Sequence, residues 1–339
     1  MFKGAGYSVS VATPDYIGDY IPAKSRIRTS GPSLSKVLQL RKLLSNSYEA
    51  IERSKPDIII THNFDAGLLS KYIKKASIPI IYIPHGLLEM ELKTYFPSSL
   101  SAILSSLGKS LDSFILKNID RVITLTDPAA EYISDTHDVS YVSVIPPPFE
   151  SEEPDPVDST NPERNSILYS GNPDGYQNIG AAFEAVMIAR NELPDLKLLI
   201  STHSSLNRWY KIINQHFNKI DITIYTPKNF QDSLLFARNA DLALITRIDP
   251  YGFPMKIHYY VKCGLPIVAF DCAWAGFVDE QTALLAKPQD SKSLAEKLIQ
   301  AYRNPKMRNE LARNAYKKFA QDYNSDYILS EFEKIFAEF

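Results

Sequence analysis

Residues 166–171 read Ser-Ile-Leu-Tyr-Ser-Gly, a short apolar run that ends on a glycine. Such a run predicts a buried strand, and the glycine marks the turn that follows it. Apolar strands that alternate with amphipathic helices predict a parallel sheet with both faces covered. Further runs of this kind recur after it at helix-length intervals, at Lys197–Ser201, Ile222–Thr226, Leu242–Thr246, Pro266–Phe270 and Ala283–Ala286.

The first half of the chain shows the same alternation. A helical period of apolar residues runs through Ser33–Ser54, with Ser33 placed to cap the helix. The strand-like runs around it are Ser8–Val11, Asp57–Thr61, Ile78–Ile83, Arg121–Leu125 and Val142–Ile145. The fold class predicted is therefore α/β, with two doubly wound Rossmann-like domains.

A polar, proline-rich stretch separates the two halves. It opens at Pro146–Pro148 and runs to Glu163, and it is poor in large apolar residues. We predict a first domain over residues 1–148, a linker over 149–163 and a second domain over 164–322. Two such domains would enclose a cleft, and sheets of this type bind ligands beyond the carboxyl ends of their strands. Two-lobed receptors, phosphorylases and epimerases share that architecture.

Composition narrows the class of protein. The 339 residues carry a net charge of −2, so the overall basic excess of nucleic-acid-binding proteins is absent. Two cysteines, Cys263 and Cys272, are too few for a disulfide framework, and no Cys/His spacing suggests zinc. The longest apolar runs are strand-sized, and residues 1–6 do not resemble a signal peptide. The expectation is a cytoplasmic protein.

Motifs in both halves resemble one family. Residues 6–14, Gly-Tyr-Ser-Val-Ser-Val-Ala-Thr-Pro, are similar to its Gly-His-x-Val-x-Val-x-Thr-Pro strand, and residues 84–86 read Pro-His-Gly. Residues 252–257, Gly-Phe-Pro-Met-Lys-Ile, are followed by Tyr260 and by Cys-Gly-Leu-Pro-Ile-Val-Ala at 263–269. In order and spacing these segments resemble the family-4 (group 1) glycosyltransferases of the GT-B fold.

The resemblance implies a reaction. Members of this family move a sugar from a nucleoside diphosphate donor to a sugar or lipid-linked acceptor with retention of configuration, without metal or cofactor. A C-terminal helix over residues 323–339 would return to the first domain, and a first strand, glycine loop and helix would precede Gly6. The first domain as given is thus expected to be incomplete, as a truncated or misassigned product would be.

The resemblance also implies the site residues. His85, after an apolar strand, is the expected catalytic contact with sugar or acceptor, together with Asp249; His62 is a weaker candidate of the same kind. Glycines let a phosphate approach the backbone, and a helix starting near Pro254 would follow them. The expected donor-binding residues are Gly171, Asn172, Gln177, Arg247, Gly252, Phe253, Lys256 and Tyr259.

Three of these positions depart from the family. Asn172 and Gln177 stand where the family has arginine and lysine, and Tyr259 stands in place of a carboxylate. Neutral contacts are about half as strong as charge-assisted ones, so diphosphate binding should weaken. Two explanations stay open: a diverged transferase that uses Arg247, Lys256 and Asp249, or an inactive paralogue that binds sugar, nucleotide or another protein.

One helix could also meet a membrane. Residues 98–118 carry Leu, Ile and Phe at helical spacing, with lysines around them. Packing on the sheet explains the same pattern, and the charge density is low for an interfacial helix. We therefore expect at most a weak peripheral contact, at the inner face of the membrane.

Overall fold

The computed structural model describes residues 1–19, 33–74, 78–95, 98–150, 165–216, 221–272 and 276–339. The chain forms two compact units. Unit 1 comprises Met1–Pro146 together with Ser325–Phe339, and unit 2 comprises Pro147–Asn324. From residue 151 onward, the predicted linker lies outside the described residues.

Unit 1 contains a parallel sheet flanked by helices. The sheet has the sequential order β3-β4-β5-β6. The elements of the unit are β1 Ser10–Thr13, β2 Tyr16–Asp19, α1 Ser33–Ser54, β3 Ile59–His62, α2 Asn63–Ile73, β4 Ile80–Ile83, α3 Leu88–Tyr95, α4 Ser98–Leu116, β5 Arg121–Thr124, α5 Asp127–His137, β6 Val142–Val144 and α12 Ser325–Phe336. All four residues of β4 are buried, as expected for a strand covered on both faces.

The first predicted strand does not join this parallel sheet. It forms β1, two residues later than predicted, and β1 pairs antiparallel with β2 through the partners Thr13 and Tyr16. A two-residue connection can join only antiparallel strands, because a parallel crossover needs a dozen residues or more. The sequence pattern of β1 alone could not reveal this pairing partner.

The helix that follows unit 2 in the chain completes the core of unit 1. Along α12, Ile328, Phe332 and Ile335 are buried at helical spacing. They pack in one cluster with Ile81 and Ile83 of β4, and with Ile123 and Ile145. Burial of these side chains, at about 1.5–3 kcal/mol each, attaches α12 to the sheet.

Helices α3 and α4 approach each other closely. A Cβ on Gly108 would lie 2.6 Å from the Cα of Glu89, so only glycine permits this distance. The buried Asp112 carboxylate accepts the Glu89 N–H at 3.0 Å and so caps α3. Burial raises the pKa of Asp112 to about 6. These contacts cover one side of α4 and leave another side open.

Unit 2 is a six-stranded parallel sheet with helices along the chain between its strands. Its strand order is β9-β8-β7-β10-β11-β12, the order 3-2-1-4-5-6 of a dinucleotide-binding fold. The elements are β7 Ser166–Ser170, α6 Ile179–Ala189, β8 Lys197–Ser201, α7 Leu206–His216, β9 Asp221–Tyr225, α8 Phe230–Ala237, β10 Leu242–Ile245, α9 Lys256–Lys262, β11 Ile267–Phe270, β12 Leu284–Ala286, α10 Ser291–Arg303 and α11 Pro305–Asp322.

Among the described helices of either unit, none combines the length and the apolar character needed to cross a bilayer.

Candidate donor site

The order of strands in unit 2 fixes where a ligand can enter. β7 and β10 are neighbours in the sheet, but the chain runs outward from them in opposite directions. Such a switch point leaves a crevice beyond the carboxyl ends of the two strands. β7 leads there into Gly171, and β10 leads into Thr246 and Arg247. The Thr246 hydroxyl donates to the Gln177 carbonyl at 2.8 Å, which ties the two strand exits together.

The loop that leaves β7 is held in place by its neighbours. Gly171 has φ +140°, a conformation that other residues rarely adopt, and its N–H donates to the Ser201 carbonyl at 2.9 Å. The Tyr169 hydroxyl donates to the Asn172 carbonyl at 3.2 Å. Asn172 is exposed, and its side-chain oxygen accepts from Thr202 at 3.4 Å. The loop is therefore preorganised without a bound ligand.

Lys256 extends into this loop from α9. Its Nζ donates to the Gln177 Oε1 at 2.8 Å and lies 4.4 Å from the centre of the Tyr169 ring. A Cβ on Gly171 would be 3.3 Å from the same Nζ. The glycine thus leaves the space that the amino group occupies. The structure brings together three predicted donor-binding residues, Gly171, Gln177 and Lys256.

The electrostatic setting of Lys256 is unusual for a lysine. The side chain is half-buried, and no carboxylate in the described residues forms a salt bridge with it. Burial is the main cause that lowers the pKa of Lys256 to about 7, and repulsion from the positive charge of Arg247 is the second cause. The amino group is therefore available to an incoming anion.

Helix α9 is anchored at the end of β7. The Tyr260 hydroxyl accepts the Ser170 N–H at 2.7 Å, and Tyr260 lies one turn beyond Lys256 on the same face. Tyr259 is buried, and its hydroxyl donates to the Ser233 carbonyl on α8. The structure therefore does not bring the Tyr259 hydroxyl together with the Lys256 amino group.

The start of α9 differs from the sequence prediction. The helix begins at Lys256 rather than near Pro254, so Lys256 is its first residue and not one turn inside it. The Pro254 carbonyl accepts the Ile257 N–H at 2.9 Å, which closes a turn ahead of the helix. A proline at the start of a helical pattern is compatible with either arrangement.

The buried Arg247 and the half-buried Asp249 form an ion pair. Arg247 Nη2 is 2.6 Å from Asp249 Oδ2, and the guanidinium lies 5.1 Å from the centre of the Tyr176 ring. The second carboxylate oxygen of Asp249 accepts the Tyr251 N–H at 3.0 Å. Each charge therefore already has a partner, whereas the sequence indicated a phosphate-binding arginine and a catalytic acid.

The remaining donor-binding candidates, Gly252 and Phe253, come shortly before the first residue of α9. Gly252 and Phe253 are both buried. The Phe253 ring packs against His258, at 5.1 Å between ring centres, and against Tyr323 at 6.0 Å. The side chain of Phe253 thus belongs to an aromatic cluster, and only its backbone could serve a ligand.

The catalytic candidate His85 lies in unit 1, whereas Asp249 lies in unit 2. His85 follows β4, and His62 ends the neighbouring strand β3. His62 Nδ1 and His85 Nε2 are 3.2 Å apart, so one imidazole donates to the other. Desolvation lowers the pKa of both imidazoles, and for His62 this and repulsion from His85 together lower the pKa to about 4. Both shifts favour the neutral imidazole.

Several contacts that build the site were not predicted. Tyr169, Thr246 and Tyr260 each donate or accept one of the bonds that position the loop or α9. These three residues lie within or at the end of apolar segments whose pattern indicates only burial. Tyr260 belongs to a motif of the family, but nothing in the sequence predicts its hydrogen bond with Ser170.

The comparisons with known proteins agree with this architecture. Residues 2–153 match the Glycosyltransferase Family 4 description, and residues 151–318 match Glycosyl transferases group 1. No curated protein sequence matches the chain.

Solved glycosyltransferase structures share the fold. Sucrose-phosphate synthase from Thermosynechococcus elongatus is 19% identical, with a TM-score of 0.71 over 91% of this chain and 80% of that one. HepE from Anabaena in complex with UDP is 14% identical, with a TM-score of 0.63 over 91% and 85%. TarM is 17% identical, with a TM-score of 0.70 over 87% of this chain and 58% of its own length.

The two family matches meet at residues 151–153 and together extend from residue 2 to residue 318. The matched residues include the strands of both parallel sheets, the glycine after β7 and the lysine of α9. This chain belongs to the family-4, group 1 glycosyltransferases and has their GT-B fold.

Proposed function

We propose that this glycosyltransferase takes its sugar from a nucleoside diphosphate donor and transfers it, with retention, to a sugar or lipid-linked acceptor. Support comes from the solved relatives: HepE was crystallised with UDP and with UDP-glucose. TarM of S. aureus, as a mutant, was crystallised with UDP and with a GlcNAc-glycerol. The chemistry requires that the charge of the leaving diphosphate be stabilised.

One observation carries the proposal. The amino group of Lys256 lies beyond the carboxyl end of β7, at the switch point of the sheet. Among the described residues, no carboxylate forms a salt bridge with it. Gly171 allows a phosphate to approach the backbone there, and the exposed Asn172 offers an amide beside it. We assign the leaving diphosphate to this place, with Lys256 as the point charge that holds it.

The other residues take supporting roles in this proposal. The Arg247 guanidinium, held by Asp249, adds a positive field without direct ion pairing to the donor. In unit 1, the neutral His85 imidazole would contact the sugar or acceptor hydroxyls, and His62 would fix which of its nitrogens carries the proton. Tyr259 acts by holding α9 against α8.

Calorimetry with the intact chain tests the donor. We expect UDP or GDP and the matching nucleotide sugars to bind, and Lys256→Met to weaken that binding about 10- to 100-fold, because a charge-assisted bond contributes about 1.5–3 kcal/mol. Lys287→Met is the matched control, since Lys287 is exposed on the same unit. Equal affinity of the Lys256→Met protein, or no binding by any of these nucleotides, would contradict the proposal.

The alternative is an inactive paralogue that binds sugar or nucleotide. It is favoured by the neutral Asn172 and Gln177 and by the pairing of Arg247 with Asp249, which leave Lys256 as a cation that has no carboxylate partner among the described residues. Turnover distinguishes the two. Release of UDP from a UDP-sugar in the presence of sugar or polyprenyl-phosphate acceptors supports the transferase, whereas binding without release supports the paralogue.

We also propose a peripheral membrane contact through α4, at a cytoplasmic membrane face. Leu100, Ile103 and Leu107 lie at helical spacing, and each exposes about half of its side chain or more (46%, 69% and 50%). The half-buried Leu104 and Leu111 lie elsewhere on the helix. An apolar ridge of this kind can insert into the interface of a bilayer, where a lipid-linked acceptor would be met.

A further inference from the structure

The groups around the Lys256 amino group stabilise its charged form less well than water does. The side-chain oxygen Oε1 of Gln177, 2.8 Å from Nζ, is a neutral acceptor. The Tyr169 ring, whose centre is 4.4 Å from Nζ, offers only its π face. Each interacts with an ammonium ion more weakly than a carboxylate would. The loop and α9 are both tied to β7, which fixes the backbone positions from which Gln177 and Lys256 meet.

The charged and titratable groups around Lys256 add no anion. On the loop, Asp174 is bound to Arg208 at 2.9 Å, and beyond β10, Asp249 is bound to Arg247 at 2.6 Å. Arg247 acts on Lys256 by repulsion. Tyr169 on β7 and Tyr176 on the loop are titratable but not acidic near pH 7. The other titratable groups on α9, and on α11, which packs against α9, are His258, Tyr259, Tyr260 and Lys262, and Lys306, Arg308, Glu310, Arg313, Tyr316, Lys317, Lys318 and Asp322. The two carboxylates of α11 are themselves paired, Glu310 with Lys306 and Asp322 with Lys318.

We infer that binding of a nucleoside diphosphate at Gly171 and Lys256 is accompanied by uptake of one proton from solvent by the Lys256 amine. This inference rests on the proposed function, and it adds a regulation of the same site by pH. In the empty site, the neutral amine donates to Gln177. The incoming phosphate provides the missing anion, and the ammonium ion that forms donates to it.

The burial of Lys256 sets the pH range over which the proton is taken up. Because burial lowers the pKa of the empty-site lysine to about 7, the amine is mostly neutral at slightly alkaline pH. A phosphate dianion in contact with Nζ reverses this effect, as any nearby opposite charge does. By linkage, affinity for the nucleoside diphosphate is highest between about pH 6 and 7, where the phosphate is ionised and the lysine is protonated, and above that range it falls by up to about tenfold for each pH unit.

Calorimetry in buffers of different ionisation enthalpy counts the protons exchanged on binding. At about pH 8, UDP and GDP are fully ionised, because secondary phosphate groups titrate near pH 6. For the wild-type intact chain we expect uptake of about 0.9 proton for each nucleotide bound, the neutral fraction of a group with a pKa one unit lower.

Three variants test whether Lys256 is the group that takes up the proton. Lys256→Arg is charged at every accessible pH, so binding to it should take up no proton at about pH 8. Gln177→Glu places a carboxylate beside Lys256 and keeps the lysine charged in the empty site, so uptake should fall toward zero there as well. Lys262→Arg, on the same helix, should retain the wild-type uptake. Circular dichroism confirms that each variant is folded.

The outcomes separate the inference from the proposed function. Binding by the wild type without proton uptake at about pH 8 would overturn the inference and leave the donor site intact. Uptake by Lys256→Arg equal to that of the wild type would place the proton elsewhere and would also overturn it. Absence of binding by both UDP and GDP would overturn the proposed function, and the inference with it.

Discussion

Gly171 and Lys256 depend on each other at the scale of single residues. The glycine leaves room for the amino group, and its left-handed backbone turns the loop away from β7. The lysine, in turn, brings to this loop the positive charge that positions 172 and 177 do not carry. Loss of either would remove the anion site while leaving the sheet beneath it in place.

Gly171→Ala tests this dependence. The added methyl group would meet the Lys256 Nζ at 3.3 Å at a φ of +140°, so we expect a loss of about 1–3 kcal/mol of stability and weaker binding of UDP or GDP. Gly180→Ala in α6 is the control. Its Cβ would meet nothing within 4 Å, so this variant should gain about 0.5–1 kcal/mol and bind nucleotide as the wild type does. Urea unfolding and calorimetry measure both effects, and equal stability of the two variants would contradict the argument.

His258 gives a second prediction at this scale. Four aromatic rings, Phe149, Phe253, Phe319 and Tyr323, lie 5.1–6.1 Å from its ring centre, and its buried Nε2 has no hydrogen-bond partner among the described residues. Burial lowers its pKa to about 4. The unfolded chain therefore binds a proton below about pH 6.5 that the folded chain does not, and stability falls as the pH drops toward about 4.

His258→Phe should flatten this dependence. We expect the variant to equal or exceed the wild type in stability at about pH 7, because an unpaired polar group is replaced by an apolar ring. Between about pH 6.5 and 4 it should lose less stability than the wild type. Both tryptophans of the sequence, Trp209 and Trp274, fall in the range of unit 2, so their fluorescence during urea unfolding reports on this unit. A parallel loss in both proteins would contradict the prediction.

At the scale of the element, α9 shows what the sequence could and could not predict. The pattern around Gly252–Ala269 predicted a helix followed by a buried strand, and both are present. The pattern did not predict that Tyr260 and Ser170 would be joined, because that bond spans ninety positions. Likewise, the sequence indicated roles for Arg247 and Asp249, but it did not predict that the two side chains form an ion pair with each other. Strands follow from local periodicity, whereas pairings depend on the fold.

The proposed membrane contact of helix α4 can be tested by placing a charge on its exposed side. Ile103→Asp should reduce sedimentation of the protein with liposomes that contain anionic lipid, because it places a charge in the exposed ridge of Leu100, Ile103 and Leu107. Val37→Asp on α1 is the matched control, since Val37 is likewise an exposed apolar residue (56%, against 69% for Ile103). Leu104 and Leu111 are unsuitable positions, because both are half-buried and a charge there would disturb packing. Equal partitioning of wild type and Ile103→Asp would remove the membrane contact.

At the scale of the whole molecule, the chain enters unit 2 and leaves it at adjacent points. Phe149 donates its N–H to the Tyr323 carbonyl at 2.6 Å and pairs with Asn324 in a short parallel bridge. Beyond Asn324 the chain belongs to unit 1 again. The six strands of unit 2 and the parallel sheet of unit 1 were foreseeable from periodicity, but the antiparallel hairpin of β1 and β2 was not.

Phe332 tests the dependence of unit 1 on α12. Phe332→Ala should cost about 3 kcal/mol or more, because a buried ring in the cluster with Ile81 and Ile123 is lost. Hydrogen exchange should show faster exchange in unit 1 and unchanged protection in unit 2. Tyr327→Ala, at a position 50% exposed on the same helix, should leave both units protected. Loss of protection in unit 2 alone would contradict the assignment of α12.

The position of α12 in the sequence also bears on biosynthesis. A ribosome completes β3, β4 and β5 early, yet the helix that covers Ile81, Ile83 and Ile123 emerges only after the whole of unit 2. At about 5–20 residues per second, that interval is on the order of ten seconds or more. Unit 2 can fold on the ribosome as a continuous segment, while the nascent first unit waits with an uncovered apolar face. During translation, this face is where chaperones would bind and where aggregation would begin.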